Sequence, residues 1–321
     1  MSPIGRHAKQ LSGFAPALPT PFDKDDKVDA GAFEHLCELQ MLHGATALVV
    51  CGTTGEGPTL CPAEHKELIR IAAAVSRGRV PVIAGAGSNA TAHAIELSQD
   101  AEASGADAVL SVVPYYNKPT QEGLCAHYRA IAAAVGLPII LYDVPARTAR
   151  GLADDTIARL AEVPQVIGLK DATADVGRPA RLRPLVGPDF RLLSGDDSSA
   201  MGFIAQGGDG CISVVSNVAP GLCRDVYLAL RQGSAAEIRR FMPAVARLTA
   251  AAFCETNPVP LKYALSLFGL MSPRVRLPLV ELGAHAKAAV ASTLAQLSDE
   301  YSHVMIGAFG AIRSARRAVA G

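Results

Sequence analysis

Eight short runs of apolar and β-branched residues punctuate the chain: FAPAL from residue 14, ALVVC from 47, VPVIA from 80, AVLSV from 108, PIILY from 138, VIGLK from 166, FRLLS from 190 and CISVV from 211. Between them lie segments with helical spacing and alanine-rich faces, such as TAHAIELSQDAEASG and QEGLCAHYRAIAAAVG. The period is strand, then helix, with steps of roughly 20 to 35 residues that suit βα units. HGATALVV, SGADAVLS and GGDGCISV each place a small turn directly before a run, the pattern of a helix C-cap feeding a parallel strand. Strands that are apolar on both faces need helices outside a parallel sheet, and eight such units predict a closed (β/α)8 TIM barrel. An open doubly wound sheet is the alternative that the same alternation allows.

After residue 222 the strand signal stops and helical text continues through RDVYLALRQG, AAEIRRFMPAVARLTAAAF, VPLKYALSLFG and GAHAKAAVASTLAQLSDEY. The sequence therefore divides into a barrel domain over 1–222 that carries the catalytic candidates and a C-terminal helical region over 223–321. The last stretch, MIGAFGAIRSARRAVAG, reads equally as a helix or a frayed tail. Half of the 321 residues are hydrophobic and 19% are charged, enough apolar material for a large core. Thirty basic residues balance thirty acidic ones, so no field of one sign invites nucleic acid or an anionic membrane. The seven cysteines are scattered, with no Cys-x-x-Cys pair, which fits a reducing cytoplasm better than a disulfide framework or a zinc site. The start, MSPIGRHAKQLSG, lacks the apolar core of a signal peptide. The longest apolar stretch, 130–142, is interrupted by Gly136 and Pro138 and falls short of the about 18 residues that a membrane helix needs.

In a barrel of this kind chemistry sits at the C-terminal ends of the strands. The residues there form a distinct set: Thr53 and Thr54 in CGTTGEGP, Tyr115 and Tyr116 in PYYN, Tyr142, Asp143 and Arg147 in YDVPARTAR, and Lys170 at the end of VIGLK. A lysine closing a buried strand is a candidate nucleophile, because burial disfavours the ammonium and a free amine attacks a carbonyl to form an imine. Taken alone, such a lysine more ordinarily snorkels to solvent or pairs with a neighbour, here Asp171. Tyr142 ends the preceding strand, within reach of the same cavity, where imine chemistry needs a proton donor and acceptor; alone it reads as a core-capping phenol. Thr53 and Thr54 offer hydroxyls and loop N–H groups to a carboxylate, or are plain loop residues. Arg147 suits bidentate capture of a second carboxylate, or lies idle on the surface.

Three other signals lead elsewhere. AGAGSNA imitates a dinucleotide fingerprint, but the acidic residue that follows at the right distance, Asp107, precedes a strand instead of ending one. Asp196 and Asp197 in SGDD read as a turn or helix cap, and no metal site is expected. No His-x-x-x-His ligand pair occurs, and helix-face packing accounts for His35, His65 and His127. A phosphorylated substrate is not expected, since no glycine-rich cradle follows the seventh or eighth run.

From 14 to 290 the chain resembles the pyruvate-dependent, Schiff-base-forming aldolases, the family that includes N-acetylneuraminate lyase. The motifs that carry the likeness are GTTGE, EHKELI, RVPVIAGAGSNAT, VVPYYNKPTQEGL, LYDVPARTA, GLKDAT, LLSGDD, GGDGCISVVSNVAP and NPVPLKYALSLFG. The resemblance implies a lyase in which Lys170 carries the imine to pyruvate. Thr54 and nearby backbone would hold the pyruvate carboxylate, and Tyr142, Thr53 and Tyr116 would relay protons. It also implies that Gly195 and Ile212 line the pyruvate pocket through their backbone and that Arg147 receives the carboxylate of aspartate 4-semialdehyde. The tyrosine matching Tyr116 reaches into a neighbouring subunit in this family, so a dimer is the minimum and a homotetramer, a dimer of dimers, is the usual state. No cofactor is implied, because the lysine itself serves as the electron sink.

The lysine and its preceding tyrosine are shared with aldolases of sugar-derived 2-keto acids, the N-acetylneuraminate and 2-keto-3-deoxygluconate types, which form the alternative reading. Arg147 within PARTA and the PYYN pair favour the semialdehyde and a role in lysine and diaminopimelate biosynthesis. A non-catalytic keto-acid-binding barrel would need a broken relay, and Lys170, Tyr142, Thr53 and Tyr116 are all present. The chain departs from the family pattern at Asp143, where asparagine is usual, and at Ala149, where glycine follows Arg-Thr. Pro62 and His93 stand where feedback-inhibited members carry histidine and glutamate, which implies weak inhibition by lysine.

Overall fold

In the computed structural model, residues 11–307 are described. All eight runs form strands: β1 (Gly13–Pro16), β2 (Leu48–Val50), β3 (Val82–Gly85), β4 (Ala108–Val112), β5 (Ile139–Asp143), β6 (Val166–Asp171), β7 (Arg191–Ser194) and β8 (Gly210–Ser213). They pair in parallel in the order β1-β8-β7-β6-β5-β4-β3-β2. The ring closes where Leu18 N donates to Val49 O at 2.8 Å beside the parallel bridge Ala17↔Val49. This closure excludes the open doubly wound sheet, and the fold is a TIM barrel.

Local chemistry explains the alternation. Helix Gln121–Ala134 starts where the Thr120 side chain accepts from Gly123 N, and helix Ala30–Leu42 where Asp29 accepts from Ala32 N. The turns that return helices to strands use Gly44 and Gly105 at φ 93° and 90°, a left-handed conformation costly for any residue with a Cβ. Side chains alternate between two cores. An inner one fills the barrel with Ala47, Val49, Ile83, Leu110, Ile140, Leu193 and Ile212. An outer one joins sheet to helices and runs on into the C-terminal region through Leu248, Leu261, Leu265 and Leu294.

One irregularity breaks this alternation in β6. Val166 pairs with Ile139 and Gly168 with Ile140, so Ile167 is an extra residue, a β-bulge. Without it, Lys170 would share the outward parity of Val166. With it, the register Lys170↔Tyr142 turns the lysine inward and Asp171↔Asp143 turns the acids outward. Gly168 is the residue the bulge requires, because a Cβ there would lie 2.7 Å from Arg191 O.

The C-terminal region adds helices Ala235–Ala252, Val259–Leu267 and Ala284–Tyr301. Helix Pro220–Gln232 spans the boundary near 222, so the two parts share a continuous helix. Beyond it, Val304 packs against Gly221, and Ile306 N donates to Val218 O at 2.9 Å. The N-terminal ten residues and the arginine-bearing part of the tail lie outside the described residues. Among those described, no helix is long and apolar enough to cross a membrane.

Candidate active site

A cavity of about 630 Å³ opens at the C-terminal ends of the strands. Its wall includes Thr53, Glu56, Tyr142, Val144 and Arg147 from the barrel, and Thr256, Asn257, Pro258 and Leu279 from the C-terminal region. Lys170 sits beside it, 6% exposed, with Nζ 4.2 Å from the centroid of the Tyr142 ring. Its alkyl stem runs over Gly195, where an added Cβ would meet Lys170 Cε at 2.8 Å and Cγ at 2.9 Å. Gly195 thus leaves the lane in which the lysine lies, while Ile212 belongs to the inner core below.

Lys170 does not pair with Asp171. The outward-facing Asp171 accepts from Arg178 at 3.1 Å and from the backbone N and hydroxyl of Thr173. Arg178, itself buried, also contacts Asp143 at 2.8 Å and Asp154 at 3.0 Å. Asp143 therefore lies behind the barrel wall, outside the cavity lining. Burial raises its pKa, opposed by the Arg178 guanidinium. Ala149 caps the short turn Pro145–Thr148 at φ 54°, donating its N–H to Pro145 O. The loop holding Arg147 keeps a glycine-like conformation at a cost of about 1 kcal/mol. Arg147 is exposed, with one guanidinium nitrogen 3.4 Å from Asn257 O.

Thr53 and Thr54 occupy different surroundings. Thr53 is half-buried on the cavity wall. Thr54 is buried, and its Oγ1 accepts from Asn257 Nδ2 at 3.0 Å. Two residues on, Glu56 is fixed by a buried ion pair with Lys262 at 2.6 Å and by Arg276 N at 2.9 Å. Burial pulls the Lys262 ammonium down to about 8 against the pull of Glu56. Tyr116 stands apart: it is 88% exposed at φ 73°, and it does not line the cavity of the single chain.

Asn257, Lys262 and Arg178 escaped sequence reasoning. The first two lie in NPVPLKYALSLFG, a motif whose apolar spacing reads as an ordinary helix. The contacts that give them meaning span 203 and 206 residues. The other signals resolve as packing. Gly85 and Gly87 of AGAGSNA admit the backbone of neighbouring strand ends, Cys51 O and Val112 N. Asp196 accepts from Ser198 and Ser199, and Asp197 from the N–H groups of Val214 and Val215. His65 and His127 are buried as expected, whereas His35 is exposed. Among the described residues no cluster of three metal-ligating side chains occurs.

A TIM barrel with a buried strand-end lysine against a tyrosine, beside a cavity at the C-terminal mouth, has the layout of a Schiff-base aldolase, a lyase. The chain belongs to the dihydrodipicolinate synthetase family, which matches residues 10–297. It is 50% identical over 285 residues to the 4-hydroxy-tetrahydrodipicolinate synthase of Hyphomonas neptunium, covering 88% of this chain and 97% of that one. The dihydrodipicolinate synthase of Acinetobacter baumannii, solved with pyruvate, superposes with a TM-score of 0.86 at 42% identity, covering 89% and 98% of the two chains. A monomeric dihydrodipicolinate synthase variant superposes with a TM-score of 0.87 at 37% identity, covering 90% and 97%.

Proposed function

We propose that the chain condenses pyruvate with L-aspartate 4-semialdehyde to give 4-hydroxy-tetrahydrodipicolinate, a step of lysine and diaminopimelate biosynthesis. Lys170 Nζ attacks the ketone of pyruvate, water leaves, and the imine loses a methyl proton to become an enamine. The enamine carbon adds to the aldehyde of the semialdehyde. The substrate's own amine then displaces Lys170 from the imine carbon, closing the ring and freeing the enzyme. Thr54 and nearby backbone hold the pyruvate carboxylate, Gly195 and Ile212 bound its pocket, and Arg147 binds the second carboxylate. Tyr142, Thr53 and Tyr116 move the protons.

The observation that carries this reading is the buried Lys170 amine, free of its neighbouring carboxylate and 4.2 Å from the Tyr142 ring. Arg147 favours the semialdehyde over a sugar-derived keto acid. It lines the cavity, whereas the one carboxylate in that lining, Glu56, is committed to Lys262 and Arg276. Parallel turnover assays test this choice: the semialdehyde with pyruvate is turned over, and N-acetylneuraminate and 2-keto-3-deoxygluconate are not. Cleavage of either sugar acid at a comparable kcat/KM overturns it.

The division at residue 222 is part of the proposal: the barrel supplies the reacting groups, and the helical region braces them. So is a homotetramer in which Tyr116, exposed in one chain, completes a neighbour's relay. Sedimentation in solution tests this, and a fully active monomer contradicts it. A cytoplasmic location fits the seven unpaired cysteines.

A further inference from the structure

The Thr54 hydroxyl has one hydrogen to give, and its neighbours decide where that hydrogen points. Asn257 Nδ2 donates to Thr54 Oγ1 at 3.0 Å, so the oxygen's acceptor role toward the protein is filled and the O–H is left to donate elsewhere. The reverse amide orientation would draw the Thr54 O–H toward Asn257 Oδ1 and strip the amide nitrogen of its acceptor, and a buried nitrogen with no acceptor is a rarer orphan than the under-satisfied Oδ1 that the present orientation leaves. Asn257 is 6% exposed and lines the cavity. Its backbone carbonyl oxygen accepts from Arg147 at 3.4 Å, so one residue touches both the threonine and the arginine.

The backbone around Asn257 is held to the same loop by a second contact. Lys262 N donates to Pro258 O at 2.9 Å, and Lys262 Nζ reaches back to Glu56, two residues after Thr54. Both partners of that ion pair are buried. The start of helix Val259–Leu267 and the loop after β2 are thereby stitched together at two points.

We infer that Asn257 is a positioning residue for the keto-acid site: it holds Thr54 as a hydrogen-bond donor toward the substrate carboxylate and ties that subsite to Arg147. The inference rests on the proposed reaction, since it needs Thr54 to bind the pyruvate carboxylate. It explains why a segment without reacting groups lies on the cavity wall.

Borohydride trapping of pyruvate on Lys170, followed by intact mass over a range of pyruvate concentrations, separates the two claims. If wild type traps no adduct at any concentration, the reaction itself fails. If wild type traps, Asn257→Ala is expected to raise the half-saturating pyruvate concentration about tenfold, the cost of about one charge-assisted hydrogen bond, while still reaching full occupancy. Asn257→Asp is expected to be worse than alanine, because a carboxylate captures the Thr54 hydrogen and repels the substrate. In a Thr54→Val background Asn257→Ala should add little, and both single variants should narrow the preference for pyruvate over its methyl ester. Melting temperatures confirm that each variant is folded. Unchanged half-saturation in folded Asn257→Ala, or an undiminished penalty in the Thr54→Val background, overturns the inference.

Discussion

Lys170 and Tyr142 are register partners on adjacent parallel strands, and the lysine nitrogen lies 4.2 Å from the tyrosine ring centroid. The pairing exists because a bulge at Ile167 shifts the pleat of β6 by one residue. The same shift sends Asp171 outward to Arg178, which leaves the amine without the carboxylate that would hold it as an ion pair.

Gly168→Ala tests that device. Its new Cβ would meet Arg191 O at 2.7 Å, so β6 must move away from β7. We expect a loss of about 1–3 kcal/mol of stability by urea unfolding and a fall in kcat. An alanine variant with wild-type stability and rate would show that the bulge does not aim the lysine.

Arg178 neutralises two buried acids that back onto the active strands. Arg178→Met leaves Asp143 and Asp171 uncompensated, and we expect about 3–5 kcal/mol of destabilisation. Asp143→Asn keeps an oxygen for Arg178 and should cost less than about 1.5 kcal/mol. Urea midpoints check both, and the order of the two effects is the critical result.

Acid stability should depend on Glu64, whose bidentate contact with Arg276 holds its carboxyl down at about 2 from an ordinary 4.5. The folded value lies below the unfolded one, so this contribution is fully present above pH 4.5 and is lost as pH falls toward 2. Wild type should exceed Glu64→Gln in stability near neutral pH. The gap should narrow as pH falls through about 4.5 toward 3, and a gap constant with pH contradicts the assignment.

Inhibition by lysine should be weak. Pro62, His65, His93 and Tyr115 line the cavity, and among the described residues the only carboxylate in its lining, Glu56, is already paired. A lysine ammonium finds no free anion. His93→Glu should tighten lysine inhibition severalfold, and a micromolar inhibition constant in wild type would contradict the prediction.

The barrel was legible because each strand is a contiguous run and each turn carries its own signal, as Gly44 and Gly105 do. Lys170 and Tyr142 were legible as candidates because strand ends are local features, and Arg147 because it sits in the turn that follows β5. Sequence alone did not show which way Lys170 faces, since strict alternation from Val166 points it outward and only pairing with β5 reveals the bulge. It did not show Asn257 or Lys262 at work, because their partners, Thr54 and Glu56, lie on the far side of the barrel sequence. Asp143 reads from the sequence as a departure at the site, and the structure places it behind the barrel wall, paired with Arg178.

The proposed chemistry stands or falls on an imine between the Lys170 amine and pyruvate. Wild type and Lys170→Ala, each incubated with pyruvate and borohydride and weighed intact, test it most directly. One reduced pyruvate adduct per wild-type chain is expected, and none on Lys170→Ala. An unmodified wild type, or an adduct that survives in Lys170→Ala, would contradict it.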